Sequence, residues 1–599
     1  MEKHSGDGGL TIEELREKYR IEKEKRLRPD GLAQFKELTG DFAEFDRDPF
    51  VEPGFAREPI VEETEVVIVG GGFGGMLTAI SLTGSGITDF RIVEKAGDLG
   101  GTWYWNRYPG CMCDVESYTY LPLLEETGYM PTEKYASAPE IFAYCQLLGR
   151  TYDLYDHALF QTVITAAGWD DGSKRWQVST NRDDRLSARF LVIAGGLLHK
   201  AKLPGIPGIE DFEGTAFHTS RWNYAYTGGS AREPMDKLAD KRVGIIGTGA
   251  TAVQVVPQLA RTAEQLYVFQ RTPSAVGVRN NAPTDVEWFN SLKPGWQAER
   301  IVNFTKVVTG TQPDENLVAD GWTEALWVST QVVPTSEEEA AELERLDAET
   351  MDGFRRRIDD IVEDPQTADQ LKPWYGKHCK RMCFHDEYLP AFNESNVQLV
   401  DTDGRGVERI TATGVVVDGV EYPVDCLVFA SGFEITTDFD HRVGFDPVGR
   451  DGTPLSQRWS HGARTLHGVL SDGFPNMMMI SLVQGGFGTN FVHFLTEASK
   501  HIASVIAICE EEHIETIEVS PEAEEDWLMV LYGEIGGVAR YIVNCTPGYM
   551  NGEQGPHDAK AARSLVFAGS VLDYAGYLER WREGGNFPGA TVVRADDPA

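Results

Sequence analysis

Short apolar runs rich in β-branched residues recur along the chain, and two of them lead directly into a glycine cluster. The first is EVVIV at 65–69, followed by glycines within 70–75, and the second is KRVGIIG at 241–247. Such runs are typical of strands that are buried on both faces of a parallel sheet. An apolar, helix-like segment follows each cluster, MLTAISL after the first and VQVVPQLA after the second. The pattern therefore predicts two strand–turn–helix units in an α/β protein.

The first cluster is a G-x-G-x-x-G pattern formed by Gly70, Gly72 and Gly75. Glycines at these positions allow a tight turn and a close approach of backbone to a pyrophosphate, whose charge is favoured by the helix N-terminus. The next apolar run, DFRIVEK, ends at Glu94, which lies 19 residues past Gly75, where a ribose hydroxyl would be bound. This order predicts a dinucleotide site, and the acid favours FAD or NAD over NADP.

The second cluster has the pattern G-x-G-x-x-A, formed by Gly247, Thr248, Gly249 and Ala252. The strand that follows, QLYVFQ, ends in Arg271 and Thr272 instead of an acid. Because Arg271 lies 19 residues past Ala252, it holds the ribose position. A guanidinium with a hydroxyl there suits a 2′-phosphate, so we expect NADPH at this site. The alternative for Arg271 is a surface salt-bridge residue.

Helical and strand-like segments continue around these two units. The segment 136–166 predicts a helix (ASAPEIFAYCQLLGRTYDLY) followed by a short strand, and WQVSTN, ARFLVIAGG and DCLVFASGFE predict further strands. The charged stretch SEEEAAELERLDAETMDGFRRRIDDIVED predicts an inserted helical subdomain or lid with a solvated face. We expect an α/β fold with two Rossmann-like dinucleotide-binding domains and a helical insertion. The predicted boundaries are 61–199 and 431–599 for FAD, 200–275 and 376–430 for NADPH, and 276–375 for the insertion.

Residues 1–60 form a charged N-terminal extension. Within it, TIEELREKYRIEKEKRLR predicts an exposed helix with interleaved charges, and FVEPGFAREP predicts an extended linker. We expect this extension to pack on the outside of the protein without a catalytic role. A partner-binding role stays open as the alternative.

Composition narrows the classes of partner. A net charge of −38 over 599 residues argues against nucleic acid and anionic membranes as partners. No apolar run is long enough to span a membrane and the N-terminus has no apolar signal core, so we expect a cytoplasmic protein. The eight cysteines are scattered without metal-ligand spacing, which predicts reduced thiols and no metal site. The oligomeric state is not indicated.

The stretch GTWYWNRYPGCMCDVESYTY at 101–120 is too polar for a membrane span and unusually aromatic for a surface loop. Its flat rings offer stacking surfaces for a flat cofactor, which makes Thr102, Trp103 and Tyr120 candidate FAD contacts. The same stretch holds Asp114, the acid that we place nearest the chemistry. The alternative is an aromatic-rich loop that belongs to the core.

Between the two fingerprints lies an F-x-G-x-x-x-H-x-x-x-W pattern, formed by Phe212, Gly214, His218 and Trp222. With GGTWYWNRYPG at 100–110, VFQRTP at 268–273 and Lys380-Arg381, it resembles type I Baeyer–Villiger monooxygenases from about residue 60 onwards. The long extension resembles the subgroup that acts on large-ring, polycyclic or steroid-like ketones. Two departures are Asn223, where the family usually has Pro or Asp, and CTPGY at 545–549, where many members carry a Trp-Tyr segment.

The resemblance implies an oxidoreductase in which NADPH reduces FAD, O2 forms a C4a-peroxide on the flavin, and a bulky cyclic ketone becomes an ester or lactone. It further implies that Arg381 is the cation beside the peroxide, that Asp114 orients it, and that Lys380 binds the 2′-phosphate. His218 and Trp222 are expected to couple cofactor binding to domain motion, and a general-base role for His218 is the alternative. Thr546 and Tyr549 are expected in a loop that covers the substrate.

Three alternatives stay open at this point. An N- or S-oxygenating flavin monooxygenase would use the same two cofactors. A disulfide reductase-like flavoprotein needs a redox cysteine pair, and Cys111-Met112-Cys113 has the wrong spacing for C-x4-C. A FAD- and NADPH-binding scaffold or sensor would bind flavin without consuming NADPH in response to a ketone.

Overall fold

A computed structural model describes residues 10–326, 334, 336–535, 544–554 and 559–595. Two sheets built around parallel strands organise these residues, and each contains one of the two glycine turns. Smaller ladders and helices surround them, and one apolar cluster extends from the first sheet to the second. The predicted α/β fold class is confirmed.

The first sheet carries the first glycine fingerprint. Its central strands Val61–Val69 and Arg185–Ile193 pair in parallel, and Phe90–Val93 continues the parallel order on the other side of Val61–Val69. The antiparallel strands Ile164–Asp170 and Arg175–Thr180 extend one edge. The remaining strands of this sheet are Ala158–Leu159 and Met477–Met479. The carboxyl ends of the central strands therefore meet above the first glycine turn.

The second sheet carries the second glycine fingerprint, and its ladders are all parallel. Its strands, in spatial order, are Val397–Asp401, Gln265–Gln270, Arg242–Ile246, Cys426–Phe429 and Thr215–His218. The strand Gln265–Gln270 is predicted correctly to the residue, and Arg271 follows it directly. Smaller ladders join Phe35–Lys36 with Leu203–Pro204, Val276–Gly277 with Cys383–Phe384, Arg409–Ile410 and Val420–Pro423 with Gly414–Val417, and Ile514–Val519 with Ala590–Arg594.

Helices pack on both sheets, and the two that follow the glycine turns are Phe73–Gly84 and Ala250–Ala260. The other α-helices are Ile12–Glu24, Thr102–Trp105, Ser117–Tyr120, Leu124–Thr127, Ala138–Thr151, Tyr224–Thr227, Val286–Ser291, Trp296–Val308, Gly321–Leu326, Glu337–Ile361, Pro365–Leu371, Phe439–Val443, Leu455–Arg458, Phe491–Glu511, Pro521–Glu534, Ala559–Arg563 and Val571–Arg582. Short 3-10 helices are Gly31–Gln34, Gly40–Asp46, Leu154–His157, Ile209–Asp211, Thr219–Arg221, Pro390–Asn393, Arg450–Gly452, Tyr549–Gln554 and Glu583–Gly585.

The helix predicted over 136–166 is shorter in the structure. It spans Ala138–Thr151 and stops there because Asp153 adopts a left-handed backbone conformation with φ of 54°. The strand predicted after it begins at Ile164. The prediction of helix beyond residue 151 is therefore wrong.

The prediction that all cysteines are reduced thiols is also wrong. Cys379 and Cys545 form a disulfide across 166 residues, with their Cα atoms 4.9 Å apart. Sequence spacing reveals only pairs that lie close along the chain, whereas these two cysteines are brought together by tertiary structure. Within the described residues, no helix is long and apolar enough to cross a bilayer, and no group of three or more His, Cys, Asp or Glu side chains could hold a metal ion.

Candidate active site

A cavity of about 1380 Å³ opens onto both glycine turns. The residues predicted for the site that line it are Gly70, Gly72, Glu94, Thr102, Trp103, Asp114, Tyr120, Gly247, Thr248, Gly249, Arg271, Thr272, Lys380, Arg381 and Tyr549. Seven other predicted residues are described but lie away from this lining, namely Gly75, Phe212, Gly214, His218, Trp222, Ala252 and Thr546. The structure thus brings the two fingerprints and the Asp114–Arg381 pair to one space.

The first glycine turn requires its glycines. Gly70 has a φ of 101°, and a Cβ added to it would lie 2.6 Å from the carbonyl oxygen of Ala194. A Cβ added to Gly75 would lie only 1.8 Å from the carbonyl oxygen of Gly70. Gly75 therefore acts by allowing the helix to approach the turn, which explains why it does not line the cavity.

Glu94 binds backbone N–H groups at the first glycine turn. Its carboxylate accepts hydrogen bonds from the backbone N–H of Gly71 at 2.5 Å and of Ala96 at 2.6 Å. Burial raises the pKa of this carboxyl above its ordinary value, although the two backbone bonds oppose the rise. On the opposite side of the cavity, Trp103 donates through Nε1 to the Tyr120 hydroxyl at 3.1 Å.

The second turn has the same shape but a looser third position. Gly247 has a φ of 111°, and its Cβ would lie 2.5 Å from the carbonyl oxygen of Ala430. At the position that matches Gly75, Ala252 carries a methyl group that is fully buried in the helix. Thr248 donates through Oγ1 to the carbonyl oxygen of Thr272 at 2.8 Å, which joins the turn to the end of the next strand.

Cationic side chains gather beyond this second turn. Arg271 donates to Oε1 of Gln34 at 2.8 Å and to Oε2 of Glu553 at 3.1 Å. Lys202 lies 3.6 Å from the other carboxylate oxygen of Glu553. Lys380 donates to the carbonyl oxygen of Pro547 at 3.1 Å. Burial, and then the charge of Arg271, lowers the pKa of Lys380 to about 8.

Arg381 and Asp114 form a two-pronged ion pair although 267 residues separate them. The guanidinium donates at 2.5 and 2.7 Å to the two carboxylate oxygens. Trp322 completes the group, because its Nε1 donates to the backbone carbonyl of Asp114 at 2.9 Å and its ring lies 5.3 Å from the guanidinium carbon. Burial would lower the pKa of Arg381, but the charge and hydrogen bonds of Asp114 outweigh it and raise the pKa. The guanidinium is therefore a permanent positive charge beside the cavity.

Residues 545–554, which we name the covering loop, pass over the cations of the second site. The disulfide fixes the loop's first residue, Cys545, to Cys379, immediately before Lys380. Tyr549 lines the cavity, and burial raises the pKa of its hydroxyl to about 12. Thr546, within the loop, is buried, and its carbonyl oxygen accepts from the Asn551 amide at 3.1 Å.

The F-x-G-x-x-x-H-x-x-x-W residues lie at the edge strand of the second sheet. Gly214 leaves room for the Phe212 ring and for the Asp425 carbonyl, which a Cβ would approach to 2.5 and 2.7 Å. His218 is 1% exposed, its Nδ1 lies 2.8 Å from the Ser220 hydroxyl, and burial lowers its pKa to about 3. Trp222 donates to Thr227 at 3.1 Å. A buried histidine of such low basicity, away from the cavity lining, fits a structural part better than proton transfer.

Several known proteins resemble this chain in sequence and in structure. The pyridine nucleotide-disulphide oxidoreductase family matches residues 67–287, which hold both fingerprints. Neopentalenolactone D synthase of Streptomyces avermitilis is 48% identical over 583 residues, covering 96% of this chain and 98% of that one. A Baeyer–Villiger monooxygenase of Dietzia sp. is 46% identical, covering 97% of this chain and 96% of that one. A polycyclic ketone monooxygenase from the fungus Thermothelomyces thermophila matches with a TM-score of 0.91 at 41% identity, covering 97% of this chain and 99% of that one. The chain belongs to the Baeyer–Villiger monooxygenases.

Members of this family are flavoproteins that use FAD and NADPH to insert one oxygen atom beside a ketone carbonyl, and the described residues fit both cofactors. Gly72 and Gly249 line the cavity, and a Cβ added to Gly249 would enter open space, so the backbone of these turns can come close to a bound pyrophosphate. The first turn is followed by a carboxylate and the second by a guanidinium. The predicted cofactors and activity are confirmed, and the three alternatives are not favoured.

Several residues that line the cavity of this Baeyer–Villiger monooxygenase were not predicted from the sequence. Lys202 and Glu553 lie in segments that match no motif. Trp322 lies in the predicted insertion, where an aromatic residue within a polar stretch is the feature that could have pointed to it. The N-terminal extension also reaches the site, because Gln34 accepts from Arg271, and Arg26 donates to the Thr272 hydroxyl at 3.2 Å. The expectation that the extension merely packs on the outside is therefore too narrow.

Proposed function

We propose that this enzyme uses O2 and NADPH to convert a bulky polycyclic ketone into an ester or lactone, with Arg381 as the catalytic cation and Asp114 as its positioning partner. The overall conversion balances as ketone, O2, NADPH and a proton giving ester, NADP+ and water. The observation that carries the proposal is the two-pronged Arg381–Asp114 pair on the wall of the cavity onto which both glycine turns open.

The cofactors would be held by the residues assigned from the sequence. FAD would contact Gly70, Gly72, Glu94, Thr102, Trp103, Asp114 and Tyr120, with Gly75 shaping the turn. NADPH would contact Gly247, Thr248, Gly249, Arg271, Thr272 and Lys380, with Ala252 behind them. Bound FAD, once reduced by NADPH, supplies the chemistry that activates O2.

Arg381 would stabilise the negative charge that develops on oxygen during attack on the ketone carbonyl. A fixed cation in a site shielded from water is effective because it needs no reorganisation during the reaction. Asp114 holds the guanidinium plane by two hydrogen bonds, and the Trp322 ring packs against the guanidinium. His218 and Trp222, which lie outside the cavity lining, would transmit domain motion instead of protons.

The substrate class follows from the relatives and from the wall of the cavity. The relatives reported above are named for neopentalenolactone D synthesis and for polycyclic ketones. Apolar side chains also line the cavity, among them Phe487, Phe491, Val492, Leu565 and Phe567. A wide apolar wall suits a fused-ring ketone better than a small one.

The test is conversion of a fused-ring ketone under ¹⁸O2, followed by mass spectrometry. Arg381→Ala should lose lactone formation by a factor of about 100 or more while NADPH still reduces the flavin. Asp114→Asn should retain part of the activity, because the guanidinium stays but is less well oriented. Arg47→Ala removes an exposed arginine that pairs only locally with Glu44, and serves as the matched control.

Two results would contradict the proposal. Labelled lactone formed by Arg381→Ala at the wild-type rate would remove Arg381 from the chemistry. NADPH consumption that yields only hydrogen peroxide with every fused-ring ketone would reject the substrate class.

A further inference from the structure

A carboxylate lies where the proposed function needs a phosphate. Glu553 is 5% exposed, accepts from Arg271 at 3.1 Å and lies 3.6 Å from Lys202. Burial opposes its ionisation, but the charges of Arg271, Lys202 and Lys380 outweigh burial and lower its pKa. An anion from the chain itself thus already pairs with two of the cations of the second site, Arg271 and Lys202.

The chain holds this anion in a strained position. Glu553 has a φ of 57°, and Gln554 after it has a φ of 59°, a left-handed conformation that is unfavourable for residues with a Cβ. The Glu553 N–H donates to the Gly548 carbonyl at 2.9 Å, and the Gln554 side chain donates to the Cys545 carbonyl at 2.9 Å. The loop therefore curls back on itself to present the carboxylate to the cations.

A phosphate and this carboxylate cannot both be paired with the same guanidinium at no cost. Two anions that share one cationic site repel each other, and the repulsion is strong where water is scarce. A 2′-phosphate also offers more acceptor oxygens and more charge than a carboxylate, which lets it take over the Arg271 and Lys380 donors. One of the two anions therefore has to leave the Arg271 guanidinium.

We propose that Glu553 is an internal substitute for the 2′-phosphate of NADPH, and that the cofactor must displace it to bind. This inference rests on the assignment of Arg271 and Lys380 to the 2′-phosphate. It makes Glu553 a residue that sets affinity for NADPH relative to NADH, since only the phosphorylated cofactor competes with the carboxylate. It also links arrival of NADPH to release of the covering loop, because Glu553 belongs to that loop and Lys380 donates to the Pro547 carbonyl of the same loop.

The test measures binding directly, by titrating the FAD-loaded protein with NADP+ and with NAD+ in a calorimeter. Glu553→Gln keeps the side-chain shape and removes the charge, and should lower the Kd for NADP+ by about tenfold while leaving that for NAD+ unchanged. The gain should shrink at high salt, because it is electrostatic. Hydrogen exchange of residues 545–554 in the wild type should rise when NADP+ is added.

Two further variants separate the possible failures. Glu583→Gln removes an exposed carboxylate far from these cations and should leave both Kd values unchanged. Arg271→Ala should weaken NADP+ binding; if it does not, the 2′-phosphate assignment itself fails. If Arg271→Ala weakens binding but Glu553→Gln leaves the Kd for NADP+ equal or higher, the displacement inference alone is wrong, and Glu553 instead helps to hold the cofactor.

Discussion

Around Gly70 and around Gly247 the chain makes the same turn, with φ of 101° and 111°. In each case a Cβ would strike the carbonyl of an adjacent strand end, at 2.6 Å for Ala194 and 2.5 Å for Ala430. The two turns differ in the side chains that lie beside them and complete the site. The first is closed by Glu94, whose carboxylate is held by backbone N–H groups of its own domain. The second is closed by charged side chains from separate parts of the chain.

This difference corresponds to two ways of holding a dinucleotide. Backbone donors and buried walls are rigid and independent of salt, which suits a cofactor that stays bound through many turnovers. Long cationic side chains lose their pairing by small movements and exchange one anion for another, which suits a cofactor that enters and leaves. On the proposed assignment, the same local backbone would serve FAD retention at the first turn and NADPH exchange at the second.

The largest difference in stability between variants of the two turns is expected at the third position of each turn. Gly75→Ala would place a methyl group 1.8 Å from the Gly70 carbonyl oxygen, so we expect a loss of more than about 4 kcal/mol or failure to load FAD. Ala252→Gly in the second turn should cost only about 1 kcal/mol, from helix propensity. The ratio of flavin to protein absorbance and the Tm measure both. A flavin-loaded Gly75→Ala protein of normal Tm would contradict the argument.

The KM for NADPH is expected to depend on pH, whereas the amount of bound FAD is not. Lys380 is protonated below its pKa of about 8 and loses its charge above it. Because the charged form binds phosphate, KM for NADPH should rise several-fold between pH 7 and pH 9, while bound FAD stays constant. Lys380→Met should raise KM at pH 7 and flatten the dependence. An equally steep rise in Lys380→Met would assign the titration to another group.

The smallest effect is expected from the N-terminal extension. Gln34→Ala removes one neutral acceptor from Arg271, so KM for NADPH should rise about twofold to threefold with FAD content unchanged. Gln366→Ala, in an exposed part of the helix Pro365–Leu371, is a suitable control. Loss of FAD in Gln34→Ala would mean that the extension supports the first site as well.

The sequence was sufficient where the signal is local. Gly70, Glu94 and Arg271 were placed by the spacing of strand, turn and strand, and these elements form as expected. Contacts between distant segments were not accessible in this way. The Asp114–Arg381 contact spans 267 residues and was expected only from the family resemblance. Glu553 carries no motif at all, because its position depends on how the covering loop folds back.

The disulfide at Cys545 gives the covering loop one fixed end, and this changes the kind of competitor that Glu553 is. Glu553 lies eight Cα-to-Cα steps along the chain from Cys545, so its backbone can never move more than about 26–29 Å from this anchor. A tethered group of this kind has an effective local concentration on the order of millimolar, whatever the conditions in solution. On the displacement proposal, each incoming NADPH would therefore meet the same competing carboxylate at the same effective concentration, and the length of this tether would help to set the apparent affinity of the enzyme.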